Sequence, residues 1–120
     1  KILHINTTFS NLVWDMAYSL ISPRSLTLDT LPLNEWSHIV MTYSENKDRK
    51  TYIFLNWKKV NYNLQRESEW NIVNDINKPI YLWNRNALDR YLNWIVDDVK
   101  IYNRALSDDE VLQQAKIAGF

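Results

Sequence analysis

Apolar and polar residues alternate with a period of two along most of this chain, the spacing that turns one face of an extended strand inward. Ile2 to Phe9 alternates weakly and predicts a strand. Leu12 to Ile21 fits a strand or a helix on pattern alone, and its turn-forming flanks, Ser10-Asn11 and Ser22-Pro23, favour a strand. Leu26, Leu28 and Leu31 predict a short strand ahead of Pro32. Trp36 to Tyr43 carries the strongest signal: Trp36, His38, Val40 and Thr42 share one face, and Ile39, Met41 and Tyr43 the other. Both faces are partly apolar, which predicts a central strand. A polar hairpin loop follows over residues 44–50, then Thr51 to Leu55, rich in β-formers. Asn56-Trp57 stands where a tight turn belongs, with Lys58 to Tyr62 as the return strand. Asn63 to Lys78 is polar and irregular, Pro79 to Leu82 a short strand, Trp83 to Arg90 a loop, and Leu92 to Tyr102 a long closing strand. In that last strand Ile95, Val99 and Ile101 share one parity, and Asp97 shares it too, so a carboxylate stands on the apolar face. Ser107, with Glu110 three residues on, forms a capping-box signature and opens a short helix. Val111, Leu112 and Ala115 supply its apolar face and Gly119 its stop. Many short strands and one terminal helix predict a single all-β domain over residues 1–120, an antiparallel sandwich with a C-terminal helix.

Composition narrows the function classes. The chain has 120 residues, 46% hydrophobic and 23% charged, with 14 Lys plus Arg against 14 Asp plus Glu. A net charge of zero and no basic block give no electrostatic case for nucleic acid or an anionic membrane. No apolar run approaches the roughly 18 residues of a membrane span. Without cysteine there is no disulfide, thiolate metal site or Cys nucleophile. No signal peptide is visible at Lys1, and the chain opens directly in a strand-like run, as a piece of a longer protein would.

Four segments, in order, resemble the laminin-G-like, concanavalin A-like jelly rolls. Trp36-Ser-His-Ile-Val-Met-Thr-Tyr43 is similar to their "W-x-H-V-A-x-T-Y" strand, and Tyr52-Ile-Phe-Leu-Asn56 with the next residue to their "Y-V-N-G" hairpin. Ile80-Tyr-Leu with the next residue is similar to "I-x-I-G", and Ile95 to Ser107 to the ending "I-D-D-V-R-I-Y-N-R-A-L-S". The likeness covers residues 33–112; residues 1–32 carry only a compatible strand pattern. It implies a jelly-roll sandwich. Domains of this family run longer, with opening strands ahead of the matched part. If those are missing, the closing strand is left as an exposed edge.

The likeness breaks at its glycines. Trp57, Trp83 and Trp94 stand at three family Gly positions, and the chain holds one Gly and six Trp, where average usage of roughly 7% would give about 8 Gly. An Asn-Gly hairpin turn needs positive φ at both central residues, which Gly tolerates and Trp does not. One cause accounts for all three: a codon that the source organism reads as Gly, rendered here as Trp, as with the UGA codon of some bacterial lineages. Trp14 and Trp70 extend the set, whereas Trp36 matches a Trp of the family. The alternative is a Trp-rich variant with aromatic rings at loop tips as sugar-stacking platforms.

Asp97 is the sharpest site candidate. Related jelly rolls often hold a structural calcium, which makes Asp97 a candidate metal ligand; calcium takes 6–8 oxygens, many of them backbone carbonyls. Otherwise Asp97 is an anchor bonded to backbone amides or to Arg104. His38 matches a structural His of the family. Catalysis finds little support: Ser37 and His38 point to opposite faces of a strand, which rules out a triad through that pair. Glu45, Asp48, Glu67, Glu69, Asp75 and Asp89 all lie in predicted loops, without the acidic strand motif of the family's enzymes. The loop from Asn84 to Tyr91 offers a sugar-recognition kit in Asn84, Arg85, Asn86, Asp89, Arg90 and Tyr91: ring stacking with amide, guanidinium and carboxylate hydrogen bonds. Residues 44–48 stand by as contributors, and both loops also fit plain solvated connections. The expectation is a non-catalytic carbohydrate-binding or adhesion module of a larger exported or cell-surface protein, with a glycan or cell-surface protein as partner, and with neither nucleic acid nor membrane insertion. The alternatives are a structural spacer or protein-interaction domain and, less favoured, a fragment of a glycoside-active enzyme.

Overall fold

The computed structural model describes residues 2–6, 11–15, 23–32, 34–69, 81–82 and 95–120, with backbone alone at 2–6, 11–15 and 81–82. Its strands are β1 (Ile2–Asn6), β2 (Asn11–Asp15), β3 (Arg24–Thr30), β4 (Ile39–Tyr43), β5 (Thr51–Leu55), β6 (Lys58–Lys59), β7 (Tyr62–Arg66) and β8 (Tyr81–Leu82), followed by helix α1 (Asp108–Ile117). They form a five-stranded sheet, ordered β7-β3-β2-β1-β8, and a three-stranded sheet, ordered β4-β5-β6. All pairings are antiparallel except β1 with β8, where Ile2 and Leu3 pair in parallel with Tyr81 and Leu82. The all-β, antiparallel prediction with one C-terminal helix holds.

The core lies between the two sheets. Leu31, Ile53 and Val60 are buried, and Ile39, Met41, Leu55 and Tyr62 pack against them. The odd-numbered residues of β4 and β5 therefore face the other sheet. The even-numbered face turns to α1: Lys59, opposite Phe54 in the ladder, ion-pairs with Asp108 at the start of the helix at 3.4 Å, and Phe120, just past its end, lies 6.0 Å from the His38 ring. This arrangement corrects one expectation. Among the described strands β4 is an edge, not central. Both its faces are partly apolar because one meets a sheet and the other a helix.

The return strand after the hairpin also differs from the pattern. Lys58 and Lys59 pair with β5, and the chain then crosses at Val60-Asn61 into the five-stranded sheet, where residues 62–66 run beside β3. Asn63 to Arg66, which read as irregular, belongs to that strand. With so short a β6, the backbone of β5 is left open at Thr51 and Ile53, and buried groups need partners. Val60 N–H and the Tyr62 hydroxyl bond Ile53, the first to its carbonyl and the second to its N–H, at 3.1 and 2.7 Å. Ser25 Oγ and Gln65 Nε2 donate to the Thr51 carbonyl at 2.7 and 2.9 Å. That demand explains why Ser25 is buried in β3; Thr27, the other buried residue of the strand, donates to the Asp29 carbonyl at 2.8 Å, whereas Leu28, expected in the apolar stripe, is 58% exposed.

Helix α1 follows its sequence signature. Ser107 Oγ accepts the Glu110 N–H, and Glu110 Oε2 accepts the Ser107 N–H at 2.8 Å, closing the capping box. Three acids in the first turn and Lys116 in the last suit the helix dipole. Val111 and Ala115 are fully buried, and Gly119 follows the helix at φ 89°.

Candidate functional site

The Asn56-Trp57 turn and loop 44–50 close opposite ends of the three-stranded sheet. At the β5–β6 hairpin Asn56 has φ 51° and Trp57 φ 71°, the pair of positive values that a type I′ turn requires. Asn56 fixes the turn. Its N–H donates to the His38 carbonyl at 2.8 Å, and its Oδ1 accepts the His38 N–H at 2.9 Å. The second turn position is held in the same left-handed region, and Trp57 occupies it, 40% exposed, with the Lys58 ammonium 5.4 Å from the centre of its ring. A bulky residue at positive φ is a steric outlier. The glycine demanded by the family turn is thus demanded by this backbone too. Trp14 is different: it pairs with Leu3 and Ser25 inside β2, where no turn calls for glycine. Trp70, Trp83 and Trp94 lie outside the described residues.

His38 sits half-buried beside this turn. Desolvation, followed by the Lys100 ammonium, lowers its pKa, so the neutral ring is favoured, and Nδ1 has no hydrogen-bond partner among the described residues. Its backbone pairs with Asn56, and its ring lies 6.0 Å from that of Phe120.

Loop 44–50 spends its polar groups on itself. Tyr43 donates to Glu45 Oε2 at 2.9 Å, and Arg49 Nε reaches Glu45 Oε1 at 3.7 Å. Asp48 accepts the Tyr52 hydroxyl through one oxygen and the Lys50 N–H through the other. The carboxylate beside it pushes the Tyr52 phenol up to about 12. Ordinary turn closure accounts for these residues, leaving Glu45 and Asp48 little to offer a ligand.

Asp97 belongs to a segment that differs most from its prediction. Residues 95–102 form no strand, and every one of them is exposed. The carboxylate therefore does not sit on a buried apolar face. Its Oδ1 accepts the N–H of Asp98 at 2.8 Å, and Asp98 adopts φ 52°. A side chain here supplies the bond that a neighbouring strand would otherwise provide. Arg104, the alternative partner read for Asp97, instead grips Glu110 through two bonds of 2.7 and 2.6 Å. Asp98 Oδ2 is held by the Lys100 ammonium at 3.0 Å. The adjacent Asp98 carboxylate is thus already paired with a cation, and no group of three acidic or histidine side chains that could hold a metal occurs among the described residues.

Asn84, Arg85, Asn86, Asp89, Arg90 and Tyr91 lie outside the described residues. They follow β8, which stands at one end of the larger sheet among the described strands.

Comparison with known proteins agrees with this architecture. A solved S-layer domain-containing protein from Clostridium thermocellum (residues 221–444) superposes with a TM-score of 0.57 at 18% identity. The match covers 88% of this chain and 50% of that one, so this chain spans about half the length of its structural neighbour. No curated protein matches it. The family model of the Concanavalin A-like lectin/glucanases superfamily matches residues 6–112, reaching well ahead of the motifs legible by eye. With both sheets, the hairpin and the capped helix in place, the chain belongs to the concanavalin A-like lectin/glucanase superfamily.

Proposed function

We propose that this chain is a non-catalytic carbohydrate-binding or adhesion module of a larger exported or surface protein, and that it binds glycan through the loop from Asn84 to Tyr91. The observation that carries this reading is the family match over residues 6–112, in a lectin and glucanase fold, together with a loop rich in sugar-binding groups. Tyr91 is the stacking surface; Arg85, Arg90 and Asp89 give charged hydrogen bonds, and Asn84 and Asn86 give amide ones. A non-catalytic role is supported by how the carboxylates are used. Glu45, Asp48, Asp29 and Glu110 each bond a neighbour within the fold, whereas glycoside hydrolysis needs two acids facing each other across a cleft. Surface placement is supported by the family and by the S-layer domain-containing neighbour.

Titration calorimetry with a bound oligosaccharide tests the site assignment. Arg85→Ala should weaken binding by about 1.5–3 kcal/mol, roughly ten- to a hundredfold, because a hydrogen bond to a charged group is lost. Unchanged affinity in Arg85→Ala and Tyr91→Ala together would sink it. A second reading, a protein-interaction domain without a sugar site, is favoured by one specific feature, the exposed apolar segment 95–102.

A further inference from the structure

The register of the larger sheet puts two arginines side by side. Arg24 of β3 stands directly opposite Arg66 of β7, and the next pair along the ladder is Ser25 opposite Gln65. Ser25 Oγ and Gln65 Nε2 both reach across to the Thr51 carbonyl, at 2.7 and 2.9 Å, so that pair faces the core. Side chains alternate along a strand, which places Arg24 and Arg66 together on the outer face of the sheet. Helix α1 lies against the other sheet, where Asp108 meets Lys59 and Phe120 meets His38. The same register continues away from β7: Arg24 pairs with Asp15, Asp15 with Ile2, and Ile2 with Tyr81. Arg66, Arg24, Asp15, Ile2 and Tyr81 thus form one row across β7-β3-β2-β1-β8. At roughly 4.8 Å per strand the row is about 19 Å long.

Like charges directly opposite each other in a ladder repel, so this placement costs stability unless an anion is shared between them. Asp15 offsets part of the charge, but its register position is on the side of Arg24 away from Arg66. Arg24 is half-buried, and its Nε is buried with no hydrogen-bond partner among the described residues, so packing sets its position. Arg66 is exposed. Arginines on neighbouring strands have Cβ atoms about 4.5–5.5 Å apart. Each guanidinium presents a rigid planar fork of N–H donors, the geometry that a carboxylate accepts through both oxygens. A ligand carboxylate seated between Arg24 and Arg66 would relieve their repulsion and take charged hydrogen bonds from both. Sugar hydroxyls carry no charge and would leave the repulsion in place. The row ends at Tyr81, shortly before Asn84, the first of the residues assigned to glycan binding.

We propose that Arg24 and Arg66 take the carboxylate of a uronic acid, and that the glycan is an acidic oligosaccharide lying across the outer face of the five-stranded sheet. The proposal rests on the glycan reading and names its substrate class. The test is an array of galacturonate and glucuronate oligosaccharides, their neutral counterparts and sulfated oligosaccharides. It is probed with the 120-residue chain and with its Arg24→Gln and Arg66→Gln variants, at low and high salt. The expected result is binding of uronate oligosaccharides over the neutral ones, weakened by salt, with a loss of about tenfold or more in each variant, as for a lost hydrogen bond to a charged group. Circular dichroism controls for folding, and the exposed Arg66 carries the test by itself if Arg24→Gln does not fold. Neutral oligosaccharides bound as well as acidic ones, binding of sulfated oligosaccharides alone, or uronate binding unmoved in the folded variants would each overturn the proposal and leave the glycan reading standing. A parent chain that binds no oligosaccharide overturns both.

Discussion

At position 57 the backbone asks for a residue that the side chain contradicts. Asn56 and Trp57 both have positive φ, at 51° and 71°, and the two bonds between Asn56 and His38 hold the turn in that form. Left-handed backbone costs a residue with a Cβ about 1–2 kcal/mol, a cost that glycine avoids. Trp57→Gly should therefore stabilise the chain, by about 1 kcal/mol once the greater freedom of the unfolded glycine is deducted, as a shift in urea midpoint would show. The source-level counterpart is the intact mass of the protein isolated from its native organism. Glycine at 57 predicts a mass below that of the printed sequence, and a mass fitting all six Trp would end the recoding explanation. Asp97 gives a second prediction at this scale. Its carboxylate bonds Asp98 N–H beside the Asp98–Lys100 pair, so millimolar calcium should leave the melting temperature unchanged. A calcium-induced rise abolished by Asp97→Asn would make it a ligand after all.

Among the elements, the C-terminal helix was the most legible, because its start is written in side chains that act locally. Ser107 and Glu110 are close in sequence and satisfy each other's backbone N–H whatever the rest of the chain does. Ser107→Ala should cost about 1 kcal/mol in chemical denaturation. The Arg104 guanidinium first, then the Ser107 N–H, holds the Glu110 carboxyl at about 2, well below its ordinary 4.5. A depressed carboxyl favours the fold above its unfolded pKa, so this support should be complete above pH 4.5 and disappear as pH falls toward 2. Arg104→Ala should flatten that part of the stability profile. Other elements were legible only in part. Strand positions followed from the period-two pattern, but the sheet each joined did not, because Val60-Asn61 crosses between sheets without a turn signal. Ser25 points inward because the Thr51 carbonyl lacks a full-length neighbour strand, a fact about pairing that no local pattern carries. Residues 95–102 show the same dependence in reverse: their alternation is plain, yet alternation without a partner does not make a strand.

For the whole molecule, the two sheets meet through a small apolar cluster and a set of buried hydroxyl and amide contacts around β5. Ile53 is fully buried at the centre of the cluster, so Ile53→Ala should cost about 2–5 kcal/mol, read from the urea midpoint. The sandwich was recognisable from four motifs spread over residues 33–112, and the family match extends this to 6–112. The sugar-binding reading has a narrower base: six residues chosen for their chemistry between Asn84 and Tyr91, outside the described residues. The most direct test is a glycan microarray probed with the 120-residue chain and with an Arg85→Ala/Tyr91→Ala variant of unchanged fold. A set of glycans bound by the parent chain and lost in the variant is the predicted result. An array on which the parent chain binds nothing, or on which the variant binds equally well, would contradict it.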